Sequence, residues 1–356
     1  MISKMEEVSY CAPQSLANVG PGFDIFSIAY EPHLRGDIVR AKKTDKFKGA
    51  KLIEIINNPA LELRPSNVVE AVGNKLLSLA GQQEKIGIEL ILEKNMRIGT
   101  GMGSSASSSV AAALSVNDLL ENPFPRDSPE MKQAVVHGEY VATKGSPHAD
   151  NVLASLLGGF IFIHDLSNYQ HIRFQGGNNI YLVVASPINL RVDTSQARAA
   201  LTIDKEELAH TSAKYIMDYL GSDDKLSPKS YASKFASYVK CEETLLYEYL
   251  KGGAFVIDGM KLDFPRMLGF GVSRDAIVTP VRAQFITGYD AAKDGAMNAG
   301  AFGFSISGSG PAVFAVSGEE NNAHKVGDAI QRGFEKYEVK AEIYVSKINN
   351  LGAQRI

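Results

Sequence analysis

The chain has 356 residues, 45% of them hydrophobic and 22% charged, an ordinary globular composition that rules out disorder over most of the length. Lys and Arg number 37 against 40 Asp and Glu, for a net charge of -3, which argues against a nucleic-acid or anionic-membrane partner held by bulk charge. Cys11 and Cys241 give neither a disulfide framework nor a metal spacing, residues 1–10 lack a signal-peptide core, and no apolar run reaches membrane-spanning length.

These features predict a soluble, cytoplasmic protein of two tightly joined domains. In chain order, residues 13–24 form a polar loop entered from a strand and closed by Pro21 and Gly22. A helix is expected over 67–80, with Asn67 and Glu70 placed for a capping box and Gly81 as its stop. Ile86, Ile88, Leu90 and Leu92 then alternate, the period of a strand over 86–92. A glycine loop (99–103) leads into a Ser/Ala-rich helix from Ser104 to Leu120. Turn residues fill 121–129, and Ser128 with Pro129 opens a helix over 129–143. Residues 159–164 and 180–186 read as strands, and 203–252 as Lys/Glu-rich helix, with Asp204 and Glu207 suiting a capped start. From 279 the order is helix, strand (302–306), glycine turn (307–311), strand (312–317), helix, strand (339–346). This is an α+β pattern with tight hairpins rather than a regular βαβαβ array. The domain boundary falls near 165–180, giving domains of 1–170 and 171–356.

Residues 99–107 read Gly-Thr-Gly-Met-Gly-Ser-Ser-Ala-Ser, between a predicted strand and a predicted helix. A helix N-terminus offers free N–H groups and the positive end of the dipole, and glycines let the backbone close around an anion, so phosphate is the natural guest. Ser104 and Ser105 add hydroxyls able to cap the helix, hold a phosphate oxygen or ligate Mg²⁺. Taken alone, the loop also fits a glycine-tightened turn with serine caps. It is not a P-loop, which needs Gly-Lys-Ser/Thr, nor a dinucleotide fingerprint, because its spacing is G-x-G-x-G.

Three further segments accompany it: the loop 13–24, Pro-His-Ala-Asp-Asn at 147–151, and Ser-Gly-Ser-Gly-Pro at 307–311. Each alone fits turn or cap chemistry. Together and in this order they resemble the three signature motifs of the superfamily of galactokinase, homoserine kinase, mevalonate kinase and phosphomevalonate kinase (GHMP). Within it the chain is most similar to the homoserine kinases. The shared segments are ANVGPGFD (17–24), HADN (148–151), GGF (158–160), TSQARAAL (194–201), DAIVTPVRA (275–283), AGAFGFSISGSGP (299–311) and NNLGA (349–353). The chain departs from the family at Arg97, where proline is usual, and at Met102, where leucine is usual. It also has one extra residue around Lys144 and a longer helical stretch over 203–252.

The resemblance implies a two-domain GHMP kinase fold: an N-terminal ribosomal-protein-S5-like α+β domain and a C-terminal ferredoxin-like α+β domain, with the active site between them. It further implies ATP bound with its phosphates at Gly99, Thr100, Gly101, Met102, Gly103, Ser104, Ser105 and Ala106, and Mg²⁺ held by Ser105 and Glu139. The implied reaction is phosphorylation of the L-homoserine hydroxyl in threonine biosynthesis. Another small alcohol (threonine, mevalonate or shikimate) and a non-catalytic nucleotide-binding relative are the alternatives. An amino-acid acceptor presents a carboxylate, which guanidinium groups pair at both oxygens. Arg198 and Arg282 stand at the family's positions for it, with Asn18, Thr194 and His148 nearby by analogy. Asp150 suits the ammonium, and Asp24 is the family's other motif carboxylate near the acceptor. Asp150 is read as general base in mevalonate kinase relatives and as acceptor ligand in homoserine kinases. A carboxylate holding an ammonium is a poor base, because the cation lowers its pKa, so the ligand role is preferred. A homodimer is left open.

Overall fold

The computed structural model describes residues 6–30, 36–58, 67–143, 145, 148–222 and 227–356. From the N-terminus run β1 (Glu7–Ala12), β2 (Gln14–Ala17), β3 (Phe26–Tyr30), β4 (Asp37–Thr44), β5 (Gly49–Ile56), α1 (Val68–Leu79) and β6 (Gly87–Glu93). They are followed by α2 (Ser104–Asn117), α3 (Pro129–Ala142), α4 (Ala149–Leu157), β7 (Phe160–Asp165) and β8 (Gln170–Phe174). One sheet has the order β5-β6-β4-β1, antiparallel except for the parallel β5/β6 pair, which α1 connects. A second, antiparallel sheet has the order β2-β3-β7-β8.

Helix α2 threads the first core, and Ser105 is its only residue that is not buried. Small side chains let the first sheet, α1, α3 and α4 close around it, and its serines satisfy backbone groups that burial would otherwise orphan. Ser107 Oγ donates to the Ala12 carbonyl and Ser115 Oγ to that of Val39, each at 2.7 Å. The expected capping box of α1 forms only by half. Asn67 Oδ1 accepts from Val69 N at 2.9 Å, but Glu70 turns away and accepts from Leu52 N at 3.1 Å, beside a register shift in β5 that disturbs the ladder there.

The second half continues with β9 (Tyr181–Pro187), α5 (Thr194–Ala199), α6 (Lys205–Gly221), α7 (Pro228–Val239), α8 (Glu243–Lys261), α9 (Pro265–Val272), α10 (Thr279–Ala283) and α11 (Tyr289–Asn298). Then come β10 (Gly303–Ile306), β11 (Val313–Ser317), α12 (Glu320–Glu335), β12 (Ala341–Ser346) and β13 (Gln354–Arg355). The stretch expected as helical over 203–252 is thus three helices, and the last of them runs on to Lys261. β9–β12 form an antiparallel sheet in the order β10-β11-β9-β12, the ferredoxin-like arrangement, with α11 and α12 as its crossover helices. The unbroken apolar run of β9 reflects burial on both faces. Leu182 and Val184 enter the core shared with α6–α9, while Val183 and Ala185 pack toward α11 and α12.

The strands expected at 86–92, 159–164, 180–186, 302–306, 312–317 and 339–346 correspond to β6, β7, β9, β10, β11 and β12. Two features blur a division at 170. β8 straddles it while paired to β7, and β13 returns to pair with β1. No described helix is long and apolar enough to cross a membrane.

Candidate active site

A cleft of about 260 Å³ lies between the halves, walled by the loop 17–24, the glycine loop, the ends of α3 and α5, the start of α4, Arg282 of α10 and the turn 308–310. It gathers Asn18, Asp24, Gly99, Thr100, Gly101, Gly103, Ser104, Ser105, Glu139, His148, Asp150, Thr194, Arg198 and Arg282. Met102 lies in the same loop and Ala106 in the first turn of α2, but neither lines the cleft. Their side chains are 2% and 0% exposed and belong to the cores. Lys144 lies outside the described residues.

The loop is built for close approach. Gly99, Gly101 and Gly103 all have positive φ, and a Cβ on Gly101 would stand 2.7 Å from the Ser307 carbonyl oxygen and 2.9 Å from that of Gly310. The turn 307–311 clamps it. Ser307 Oγ donates to the Gly101 carbonyl at 2.5 Å, and Ala312 N to that of Thr100 at 3.0 Å. Helix α2 starts at once with no side-chain cap on Gly103, so its first N–H groups face the cleft, the arrangement that receives an anion.

Glu139 projects from the buried face of α3 toward Ser105. Burial pushes its pKa up to about 7, against the Ser105 hydroxyl and the His148 imidazole. Among the described residues its buried Oε1 has no hydrogen-bond partner. A carboxylate with an orphaned oxygen beside a hydroxyl is a hard-oxygen donor pair that fits Mg²⁺, which usually keeps waters and phosphate oxygens as its other ligands. Among the described residues, no three His, Cys, Asp or Glu side chains cluster to hold a metal.

The other end carries the charges. Asn18 and Asp24 both hold positive φ, an unusual conformation for non-glycine residues that concentrates at functional sites. Asn18 fixes the loop by accepting from Asp24 N at 3.0 Å and donating to the Gly308 carbonyl at 3.3 Å. Asp24 takes two bonds from Arg198, at 2.9 and 3.3 Å, and lies 3.3 Å from His148 Nδ1. These partners outweigh burial and hold its pKa well below the usual carboxylate range, while Asp24 raises that of His148. Asp150 behaves oppositely: burial first, and the Asp24 charge second, push it up to about 6. Its Oδ1 accepts from Asn151 N at 2.8 Å, because it sits in the first turn of α4 rather than at its cap.

Arg282 is 4% exposed, donates through Nη1 to the Gly308 carbonyl at 2.6 Å, and has a buried Nε with no partner among the described residues. Arg198 and Arg282 flank the Phe23 ring, their guanidinium carbons 5.0 and 5.1 Å from its centroid. Thr194 Oγ1 lies 2.9 Å from Ser309 Oγ. Arg198 is therefore already paired with Asp24, which its motif position did not disclose. Asp275 was also missed as a site residue, although it opens a quoted segment. It accepts from the N–H groups of Ile277, Val278 and Thr279 and from Thr279 Oγ1, anchoring the short helix that carries Arg282. An Asx-type signal, an Asp two to four residues before a Thr-Pro helix start, could have found it.

The model of the GHMP kinases N terminal domain matches residues 67–159, and that of the GHMP kinases C terminal region matches 264–336. A homoserine kinase of Pyrococcus furiosus is 31% identical, with 95% of this chain and 96% of the relative covered. One from Chlorobium phaeobacteroides is 29% identical over 99% of this chain and all of its own length. Among solved structures, homoserine kinase from Cytophaga hutchinsonii superposes with a TM-score of 0.80 at 28% identity, covering 100% of this chain and 99% of that one. An L. major mevalonate kinase in complex with R-mevalonate shares the fold, with a TM-score of 0.65 at 14% identity over 96% of each chain.

Proposed function

The chain belongs to the homoserine kinases of the GHMP superfamily, and from that premise we propose that it transfers the γ-phosphoryl group of ATP to the hydroxyl of L-homoserine, giving O-phospho-L-homoserine and ADP. The observation carrying the reading is the shared cleft. An uncapped helix N-terminus and its glycine loop face Asp150, Arg198 and Arg282 across one small space.

Phosphoryl transfer asks a protein mainly for positioning and charge neutralisation. The N–H groups of the loop and of the first turn of α2 would cradle the ATP phosphates. Ser105 and Glu139 would hold Mg²⁺, which when bound neutralises phosphate charge. The unpartnered Nε of Arg282 is one donor for the acceptor carboxylate, and Arg198 is the second once it shares Asp24. Asp150 offers the ammonium a buried counter-charge and so fixes the acceptor hydroxyl toward the γ-phosphorus. The acceptor's O–P bond forms as the bond to ADP breaks, and the hydroxyl proton leaves late, onto an oxygen of the transferred phosphoryl group and from there to water. Asp24, ionised and paired, favours the protonated form of His148 and holds Arg198 in place.

The lobes divide best after β8, with residues 354–356 returned to the first lobe, and the enzyme would work in the cytoplasm on its small-molecule substrate. Measuring ADP release with homoserine, threonine, mevalonate and shikimate tests the reading. Turnover of another alcohol without turnover of homoserine would overturn the substrate assignment.

A further inference from the structure

Lys94 directly follows β6 and belongs to no motif named above. Its side chain is 4% exposed and reaches under the first turn of α2. There Nζ pairs with the fully buried Asp37 at the start of β4, and donates to Ser104 Oγ at 2.6 Å. The Ser104 carbonyl and Ser108 Oγ lie further off, each at 3.2 Å. Asp37 is saturated in turn. Its Oδ1 accepts from Asn95 N and Met96 N, both at 3.0 Å, and its Oδ2 from Ser108 Oγ at 2.5 Å.

The two serines thus differ. Ser108 gives its proton to Asp37 and sits in the core. Ser104 has its oxygen occupied by an ammonium, and among the described residues its own O–H meets no acceptor, although Ser104 lines the cleft. A hydroxyl that accepts from a cation is polarised and becomes a stronger donor on its other side.

We infer that Lys94 is a positioning residue for the phosphate loop: by occupying Ser104 Oγ and tying α2 to Asp37, it aims the Ser104 O–H into the cleft as a donor to a nucleotide phosphate oxygen. This rests on the ATP reading above. A purely structural Lys94, present only to neutralise Asp37, would leave the effect of Ser104 on nucleotide affinity independent of Lys94, and the losses would multiply.

Calorimetric binding of a non-hydrolysable ATP analogue with Mg²⁺ separates the two roles. The proteins to compare are the unaltered chain, Ser104→Ala, the paired change Asp37→Asn with Lys94→Met, and all three changes together. The paired change avoids leaving a buried carboxylate uncompensated. Losing a donor to a charged oxygen weakens binding about ten-fold, so Ser104→Ala is expected to show that loss. The paired change should show a similar loss, and Ser104→Ala should add little to it. Wild-type affinity in Ser104→Ala, or losses that multiply fully in the triple variant, overturns the inference. If the paired variant does not fold, Lys94→Arg decides, since it keeps charge opposite Asp37 but displaces the point donor at Ser104; unchanged affinity there overturns the inference too. Failure of the unaltered chain to bind the analogue would sink the ATP reading itself, a separate outcome.

Discussion

Asp150 offers the sharpest test of how the acceptor is held. Its ligand-free pKa of about 6 comes from burial and from the Asp24 charge, so it loses charge just below neutrality, where an acceptor ammonium stays protonated. If the pair is what recognises homoserine, kcat/KM for homoserine should be level near pH 7.5 and fall about ten-fold per unit well below the Asp150 pKa. The des-amino acceptor 4-hydroxybutanoate carries no partner for Asp150, and its profile should stay flat through the same range. Asp150→Asn should abolish the limb for homoserine and lower its kcat/KM by roughly thirty-fold or more, the scale of breaking a buried charge pair. The des-amino acceptor should lose far less. ADP release measured discontinuously from pH 5 to 8 at saturating Mg²⁺ and ATP gives both profiles; saturation keeps Glu139, whose own pKa is about 7, from adding a limb to each. An equal fall in kcat for both acceptors, with KM little changed, would mean that Asp150 takes the hydroxyl proton. A flat profile for homoserine would refute the raised pKa and the ammonium contact together.

Arg198→Leu and Arg282→Leu should each raise the homoserine KM by roughly thirty-fold or more, as expected when one partner of a desolvated ion pair is lost. ATP affinity should stay near normal, and an unchanged acceptor KM in both variants would remove the carboxylate clamp. Asp275→Ala frees the N–H groups that anchor the helix bearing Arg282, so it should raise the homoserine KM about ten-fold at near-constant nucleotide affinity, the cost of a lost cap at about 1 kcal/mol or slightly more; a loss confined to nucleotide binding would contradict this. Glu139, raised to about 7 by burial, contributes stability that is present below its unfolded pKa and lost as pH rises through about 7. The ligand-free Glu139→Gln variant should therefore melt with wild type at low pH and above it at pH 8.5, while losing activity; thermal scans showing a constant gap across pH would refute the buried ionisation.

Local periodicity was enough to locate β6, β7, β9 and the hairpin of β10 and β11, because each has an apolar face or a tight glycine turn within a few residues. Ordered motifs assembled most of the cleft for the same reason: Asn18 and Asp24, Ser104 and Ser105, and His148 and Asp150 each lie within one loop or one turn. What stayed hidden is non-local. Lys94 meets Asp37 across 57 positions and Arg198 meets Asp24 across 174, and no spacing rule links such residues. Arg97, odd as a replacement for proline, bonds Glu342 of β12 at 2.5 Å and so joins the phosphate loop to the second half. Met102 and Ala106 looked like phosphate-site residues by motif position, yet the turn into α2 and its first turn drive both side chains into the cores.

The two acidic groups at the acceptor end differ in environment rather than in type, and that difference divides their work. Asp24 has Arg198 and His148 within hydrogen-bond reach and stays ionised at any working pH. A carboxylate so placed holds protons too weakly to take one from an alcohol, which leaves it the task of orienting Arg198 and His148. Asp150 has the His148 and Arg198 charges and the backbone N–H of Asn151 on its side, yet burial and the Asp24 charge outweigh them. It is therefore the group whose protonation an incoming ligand can change. An ammonium arriving beside it restores its charge and lowers its affinity for protons at the moment the acceptor is seated. On the proposed reading, the buried acid is neutralised by the substrate it selects, and an acceptor without that charge meets an acid that repays nothing. Asp24→Asn should then act at a distance. With that charge gone, the acid limb of the homoserine profile should move to lower pH, toward the ordinary carboxylate range, and His148 should become easier to deprotonate. A limb that stays near pH 6 in Asp24→Asn would show that burial alone sets Asp150, and that the two carboxylates work independently.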